Sequence, residues 1–244
     1  MMKVTFFSYQ IPEEKISDIL NKNPWMQRDN KNYELVIVLG GDGTFLSALK
    51  TFKDENVKVI LLNQGQLGFF ASPDELSLDE LLNDNLFNNY QYLELKVNNN
   101  SYHAINEFMI STINNPIKYL VSLDNYPWYQ FIGTGILIST TNGSSGMNRS
   151  LHGPLLLDND LFIYQEFLPV QNSRTKNLNQ PLVLSQSHKI SLQFESTNLN
   201  LKIDGLTECI NANHLEFMVK NSVAKIYNFS RPQTWIENIK NKLL

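Results

Sequence analysis

The sequence predicts an α/β N-terminal domain, a parallel sheet with helices, followed by a mostly β C-terminal domain. Two observations carry this. Over roughly the first ninety residues, short apolar runs alternate with helical patterns, the rhythm of strands joined by crossover helices. From about Tyr90 the pattern becomes a succession of short runs with two-residue alternation, separated by Asn- and Gly-rich turns.

Taken in order, Lys3–Phe7 reads as the first strand. Glu13–Leu20 reads as a short helix with Ile16, Ile19 and Leu20 on one face. Leu35–Leu39 is an unbroken apolar run, the signature of a strand buried on both faces. A glycine turn follows, then a helix in which Phe45, Leu46, Leu49 and Phe52 share a side. Val57–Leu62 is a third strand, ending at Asn63. Ser72 with Glu75, and Ser77 with Glu80, have capping-box spacing ahead of Leu81 and Leu82.

In the second half, Leu93, Leu95 and Val97 alternate with Tyr92, Glu94 and Lys96, and Asn98–Asn100 forms a turn. Strand-like runs recur at Tyr102–Ile113, Lys118–Leu123, Tyr129–Ile132, Ile136–Thr140, Lys189–Phe194, Leu199–Ile203, His214–Val219 and Ala224–Tyr227. They predict a sandwich or stacked sheets. Pro232–Leu244 turns helical, and an isolated amphipathic helix must bury its apolar face, so it is expected to return to the first domain. The predicted domains are 1–90, 91–231 and this helix, 232–244.

The net charge of −4 gives no electrostatic basis for nucleic-acid binding. The single Cys209 excludes an internal disulfide and a cysteine metal cluster, and reads as a small buried apolar residue rather than a nucleophile. No apolar run approaches the ~20 residues of a membrane span. Met1–Gln10 lacks the basic start and apolar core of a signal peptide, so a reducing cytoplasm is expected.

The stretch with the most chemical content is Gly40-Gly41-Asp42-Gly43-Thr44, between a strand and a helix. Glycines there let the backbone approach a phosphate, and a helix N-terminus favours negative charge. Asp42 beside such an anion site suits a general base for a hydroxyl that attacks phosphorus. The bland alternative is a tight turn in which Thr44 caps the helix and Asp42 is merely exposed. The turn is neither a Walker loop nor G-x-G-x-x-G. The pair Asn106-Glu107 can donate to and accept from a sugar diol or a base edge, or simply end a strand. Ser139–Asn148 is a dense hydroxyl and glycine run, a phosphate cradle or an ordinary loop. Ile203-Asp204-Gly205 is a strand followed by a turn, without an evident chemical task.

In this order, these segments resemble the NAD kinase family, over nearly the whole chain. The counterparts of its motifs are Gly40–Thr44, Gln64–Phe69, Asn106-Glu107, Ser139–Met147, Gly153-Pro154, Gln180–Leu184 and Ile203–Gly205. The resemblance implies phosphorylation of the adenosine ribose 2′-hydroxyl of NAD, using ATP or polyphosphate with a divalent cation, Mg²⁺ carried with ATP. It implies two domains with the site in the cleft between them, and a homodimer or homotetramer whose neighbouring subunit contributes to the NAD site. By position, Asp42 becomes the base, Gly41 and Gly43 admit phosphates, and Phe69 stacks near the adenine. Asn106 and Glu107 hold the ribose and pyrophosphate side; Asn142, Ser145, Gly146, Met147 and Asn148 line the nucleotide loop.

The sequence also departs from the family. An Arg-Gly-Asp is replaced by Ile132-Gly133-Thr134, so Thr134 stands where a nucleotide-contacting carboxylate is expected. The loop has Thr141 for its proline and Asn142 for its central threonine, Gly146-Met147 replaces an Ala-Tyr pair, and Gln66 replaces a histidine. Arg149 is a candidate replacement phosphate donor or a solvated surface arginine. Two alternatives follow: a nucleotide-binding protein with a degenerate site and no turnover, and a lipid or sphingoid-base kinase, which shares the glycine-aspartate turn.

Overall fold

The computed structural model of the chain describes residues 1–10, 13–63, 70, 72, 77–112, 115–170, 176–227, 236 and 240, with backbone alone at 195–197. In chain order the elements are β1 (Met2–Phe7), α1 (Glu13–Lys22), β2 (Met26–Arg28), β3 (Leu35–Gly40), α2 (Asp42–Phe52), β4 (Lys58–Asn63), α3 (Leu78–Leu82) and β5 (Phe87–Val97). Then come β6 (Asn100–Ala104), β7 (Glu107–Ser111), β8 (Ile117–Leu123), β9 (Tyr126–Thr140), α4 (Met147–Ser150), β10 (Leu161–Pro169), β11 (Leu182–Ser185), β12 (Lys189–Ile203) and β13 (Leu206–Tyr227). The chain divides into two compact units: Met1–Tyr90 with Ser222–Leu244, and Gln91–Asn221.

In the first unit, β1 pairs in parallel with β2 and β3, β3 in parallel with β4, and β4 in parallel with the end of β13 through Lys225 and Ile226. The three-residue β2 has too little apolar periodicity to be read from sequence. Leu35–Leu39 are all buried, which explains their unbroken apolar run. Helix α2 buries Phe45, Leu46, Ala48, Leu49 and Phe52. At roughly 1.5–3 kcal/mol for a fully buried large apolar side chain, this face dominates the helix's stability. Ser77 and Glu80 form the expected capping box on α3, with Glu80 N–H donating to Ser77 Oγ at 3.2 Å. The spacing partner Glu75, and the helix expected over 232–244 apart from Ile236 and Lys240, lie outside the described residues.

The second unit is built of antiparallel pairings. β9 pairs with β8 along its first half and with β7 along its second, and β12 likewise meets β8 and then β7. β10 joins the free edge of β9, β11 joins β10, and β5 pairs with β6. Inward side chains of these strands form one core around Phe108, Phe131, Phe162, Tyr164 and Phe217.

Several segment boundaries differ from the sequence reading. Tyr129–Ile132 and Ile136–Thr140 belong to one fifteen-residue strand, β9, whose glycines are accommodated by close packing rather than by a break. At Gly135 a Cβ would lie 2.1 Å from the Ile110 carbonyl oxygen. The runs at Lys189 and Leu199 are one strand with an irregularity between Gln193 and Thr197, and those at His214 and Ala224 are one strand as well. Conversely, Tyr102–Ile113 is not continuous: it bends at Ile105-Asn106 between β6 and β7. Cys209 is exposed, not buried. On β13 the inward positions are Ile210 and Ala212, so strand alternation turns Cys209 outward.

Candidate functional site

Each unit carries one part of the predicted site. In the first, β3 ends at Gly40, Gly41 is the helix N-cap in an extended conformation (φ −99°, ψ −173°), and Asp42 is the first residue of α2. Thr44 is therefore not the cap. Its side chain instead covers Gly40, where a Cβ would come within 2.5 Å of Thr44 Oγ1. Gly40 is thus demanded by packing. Gly41 and Gly43 are not: among the described residues a Cβ at either meets nothing within 4 Å. Their bare backbones leave space in front of the helix N-terminus, as a phosphate cradle needs.

Asp42 is half-buried rather than merely exposed. Its Oδ1 accepts the Phe70 N–H at 3.1 Å, and the Phe70 ring packs against Phe45 with centroids 5.4 Å apart. The carboxylate therefore has a fixed orientation at the positive end of an eleven-residue helix. Phe69, and the rest of the Gln64–Phe69 turn, lie outside the described residues.

In the second unit the bend at Ile105-Asn106 and the start of β7 converge with the loop after β9. Thr140 N–H donates to the Asn106 carbonyl at 2.9 Å, and Thr140 Oγ1 donates to the Ile105 carbonyl at 2.6 Å. Gly143 lies so close that a Cβ would stand 2.2 Å from the Asn106 carbonyl oxygen. The loop is braced internally by Ser144, whose Oγ donates to the Thr141 carbonyl at 2.7 Å and accepts the Leu156 N–H at 3.1 Å.

A third segment completes this cluster. β12 and β13 are joined by Asp204-Gly205, both at positive φ (46° and 92°), the two-residue hairpin turn that Asp-Gly favours. Asp204 accepts three successive backbone amides: Ile105 at Oδ2 (2.9 Å), and Asn106 and Glu107 at Oδ1 (2.8 and 3.1 Å). Its own N–H donates to the Glu107 carbonyl at 3.1 Å. Asn106 Oδ1 and Glu107 Oε2 are buried and have no hydrogen-bond partner among the described residues. Burial, together with the nearby Asp204 charge and against the opposing Lys202, pushes the Glu107 carboxyl up to about 7.

The structure thus brings Asn106, Glu107, Asn142, Ser145, Gly146, Met147 and Asn148 into one region. Gly146 is exposed, and a Cβ there would lie 3.4 Å from Glu107 Oε2. Asn142 is buried, while Ser145 and Met147 are half-buried. Asn148 is fully buried; its amide donates to the Ser144 and Pro154 carbonyls at 3.0 and 2.8 Å, so it holds the loop together from inside. Arg149 is exposed.

Thr134 is not brought to this cluster. It lies on β9 five residues before Ser139, the partner of Glu107, or about 17 Å along an extended strand. Its carbonyl instead accepts the Thr112 N–H at 3.3 Å, and Thr112 lines a separate cavity of about 910 Å³. Sequence reasoning missed Asp204, Ser139 and Thr140 as organisers of the site. The Asp-Gly turn signal marked Asp204, but not the amides it would reach. Among the described residues no group of three or more His, Cys, Asp or Glu side chains is arranged to hold a metal ion, and no helix is long and apolar enough to cross a membrane.

These features have counterparts in known proteins. Residues 11–90 match the ATP-NAD kinase N-terminal domain. The NAD kinase of Ureaplasma parvum serovar 3 is 33% identical over 204 residues, covering 82% of this chain and 73% of that protein. The NAD kinase of Mycoplasma genitalium is 29% identical over 204 residues, 80% of this chain and 77% of its own length. An Archaeoglobus fulgidus NAD kinase solved in complex with ATP has the same fold, with a TM-score of 0.76 at 18% identity over 98% of this chain and 99% of that one. Yeast NADH kinase complexed with NADH gives a TM-score of 0.76 at 16% identity, over 99% of this chain and 86% of that one. The chain belongs to the NAD kinase family.

Proposed function

We infer that the protein transfers the γ-phosphoryl group of ATP to the adenosine ribose 2′-hydroxyl of NAD, forming NADP and ADP. The observation that carries this is the Asp42 carboxylate, fixed by the Phe70 amide at the N-terminus of α2 and flanked by Gly41 and Gly43 with open space above them. Asp42 takes the 2′-hydroxyl proton as the oxygen attacks the γ-phosphorus and the bond to the ADP oxygen breaks. The amides at the start of α2 offer donors to the phosphates.

The second unit supplies the acceptor side. Asn106 and Glu107 present buried, unpartnered oxygens suited to ribose hydroxyls, and the loop from Asn142 to Met147 borders them. The divalent cation belongs to the substrate, carried by the ATP phosphates. NAD and ATP as substrates support a cytoplasmic place of action. Exposed Tyr126, Trp128 and Leu168 on the second unit support a homo-oligomer, through which a neighbouring copy would bring Thr134 to the nucleotide.

The test is a coupled assay for NADP from NAD, ATP and Mg²⁺, with thermal shift alongside. Turnover is expected. A shift by NAD without turnover would select the binding-protein alternative. Activity on a sphingoid base with neither effect would select the lipid-kinase alternative, which the similarity to NAD kinases does not favour.

A further inference from the structure

We propose that Asp204 is the positioning residue of the acceptor site: its carboxylate gathers the Ile105, Asn106 and Glu107 amides so that the Asn106 and Glu107 side chains are held as a preset pair for two neighbouring ribose hydroxyls. The inference rests on NAD being the phosphoryl acceptor and adds a residue that does not itself touch it.

The geometry has three parts. First, the bend at Ile105-Asn106 interrupts what the sequence reads as one strand, and a bent backbone leaves amides without ladder partners. Asp204 takes three of them at 2.8–3.1 Å, from 97 to 99 residues away in sequence. Second, the carbonyl side of the same bend is tied by Thr140, so both edges of the peptide unit are fixed. With the backbone immobilised, the directions of the Asn106 and Glu107 side chains are set before a ligand arrives, which lowers the ordering cost of binding. Third, Asn106 Oδ1 and Glu107 Oε2 remain buried and without a hydrogen-bond partner among the described residues. Such atoms are costly to the free protein and gain a partner when a hydroxyl binds.

Charge adds to position. The charged groups acting on Glu107 from the β12–β13 hairpin are Asp204 and Lys202, and the Asp204 charge reinforces burial in raising the Glu107 carboxyl. In the protonated form, which this shift favours, Glu107 donates through its O–H as well as accepts, and it does not repel a nucleotide pyrophosphate.

Asp204→Asn separates these effects from folding. Asparagine suits the left-handed turn at φ 46°. Its oxygen still accepts two amides, but its NH₂ faces the Ile105 N–H, donor against donor. Expected are a KM for NAD raised at least fivefold, with kcat and the KM for ATP within threefold of wild type. The pH midpoint of the NAD KM is expected to fall, because the charge opposing Glu107 ionisation is gone. In an Asn106→Ala/Glu107→Gln background, Asp204→Asn should add less than twofold to the NAD KM, since its targets are already removed. Were Asp204→Asn not recovered folded, Asp204→Glu makes the same test, keeping the charge but displacing it by one methylene: the same fivefold rise is expected. An unchanged NAD KM in either variant, or full multiplication of effects in the triple variant, would overturn the proposal while leaving NAD phosphorylation standing. Absence of NADP formation by the wild-type protein would overturn both.

Discussion

Glu107 provides a stability test that is independent of activity. Its carboxyl is raised from 4.5 to about 7 by burial first and by Asp204 second. A raised carboxyl binds its proton in the folded state after the unfolded chain has released its own. Between pH 4.5 and 7 the folded state therefore carries more protons, and stability falls as pH rises. Below pH 4.5 both states are protonated and there is no penalty; above pH 7 both are ionised and the penalty is complete. The rise from 4.5 to about 7 corresponds to about 3 kcal/mol, at about 1.4 kcal/mol per pH unit. Glu107→Gln keeps the shape and removes the ionisation. Relative to wild type, the variant should gain roughly 2–3 kcal/mol of unfolding free energy between pH 5 and pH 8. Urea unfolding followed by far-UV circular dichroism at several pH values measures this directly. Parallel stability–pH curves for the two proteins would refute the reasoning, because Glu107 would then ionise alike in the folded and unfolded chain.

Other expectations follow from the same geometry. Asp42→Asn keeps an oxygen for the Phe70 amide but cannot take a proton, so kcat should fall by about 10²–10⁴ with NAD binding retained by calorimetry. Activity within a few-fold of wild type would remove Asp42 as the base. Gly43→Ala meets no atom of the described residues within 4 Å and lies outside the left-handed region, so the melting temperature should hold while the KM for ATP rises; an unchanged KM would deny the phosphate cradle. Asn106→Ala should weaken NAD binding by about 1–2 kcal/mol, read by calorimetry, with little change in melting temperature, because its Oδ1 has no partner among the described residues to lose.

Much of the glycine turn was legible in the sequence because its determinants are local. An apolar run, glycines and an amphipathic helix in succession define where β3 ends and α2 begins, and place Asp42 between them. The alternation of Leu93, Leu95 and Val97 likewise assigns their buried face through strand geometry alone. Local pattern could not say which glycines serve packing. Only the tertiary structure distinguishes Gly40, closed over by Thr44, from Gly41 and Gly43, which face open space.

The cluster around Asn106 and Glu107 depended on long-range register. A two-residue period describes a strand equally well whether it ends or runs on, so the joining of two runs into β9, and of two more into β13, was decided by the partners alongside them. The bend at Ile105-Asn106 was marked only by the polar pair Asn106-Glu107, which can end a strand or continue it. It exists because a carboxylate 98 residues beyond Asn106 is delivered by a hairpin turn to amides that would otherwise seek a strand. By itself the sequence determined the strand-to-helix turn and the position of its aspartate. The pairing of β12 with β7 and β13 decided that Asp204 would meet Asn106 and Glu107, because hydrogen-bond register is a property of neighbouring strands and not of either strand alone.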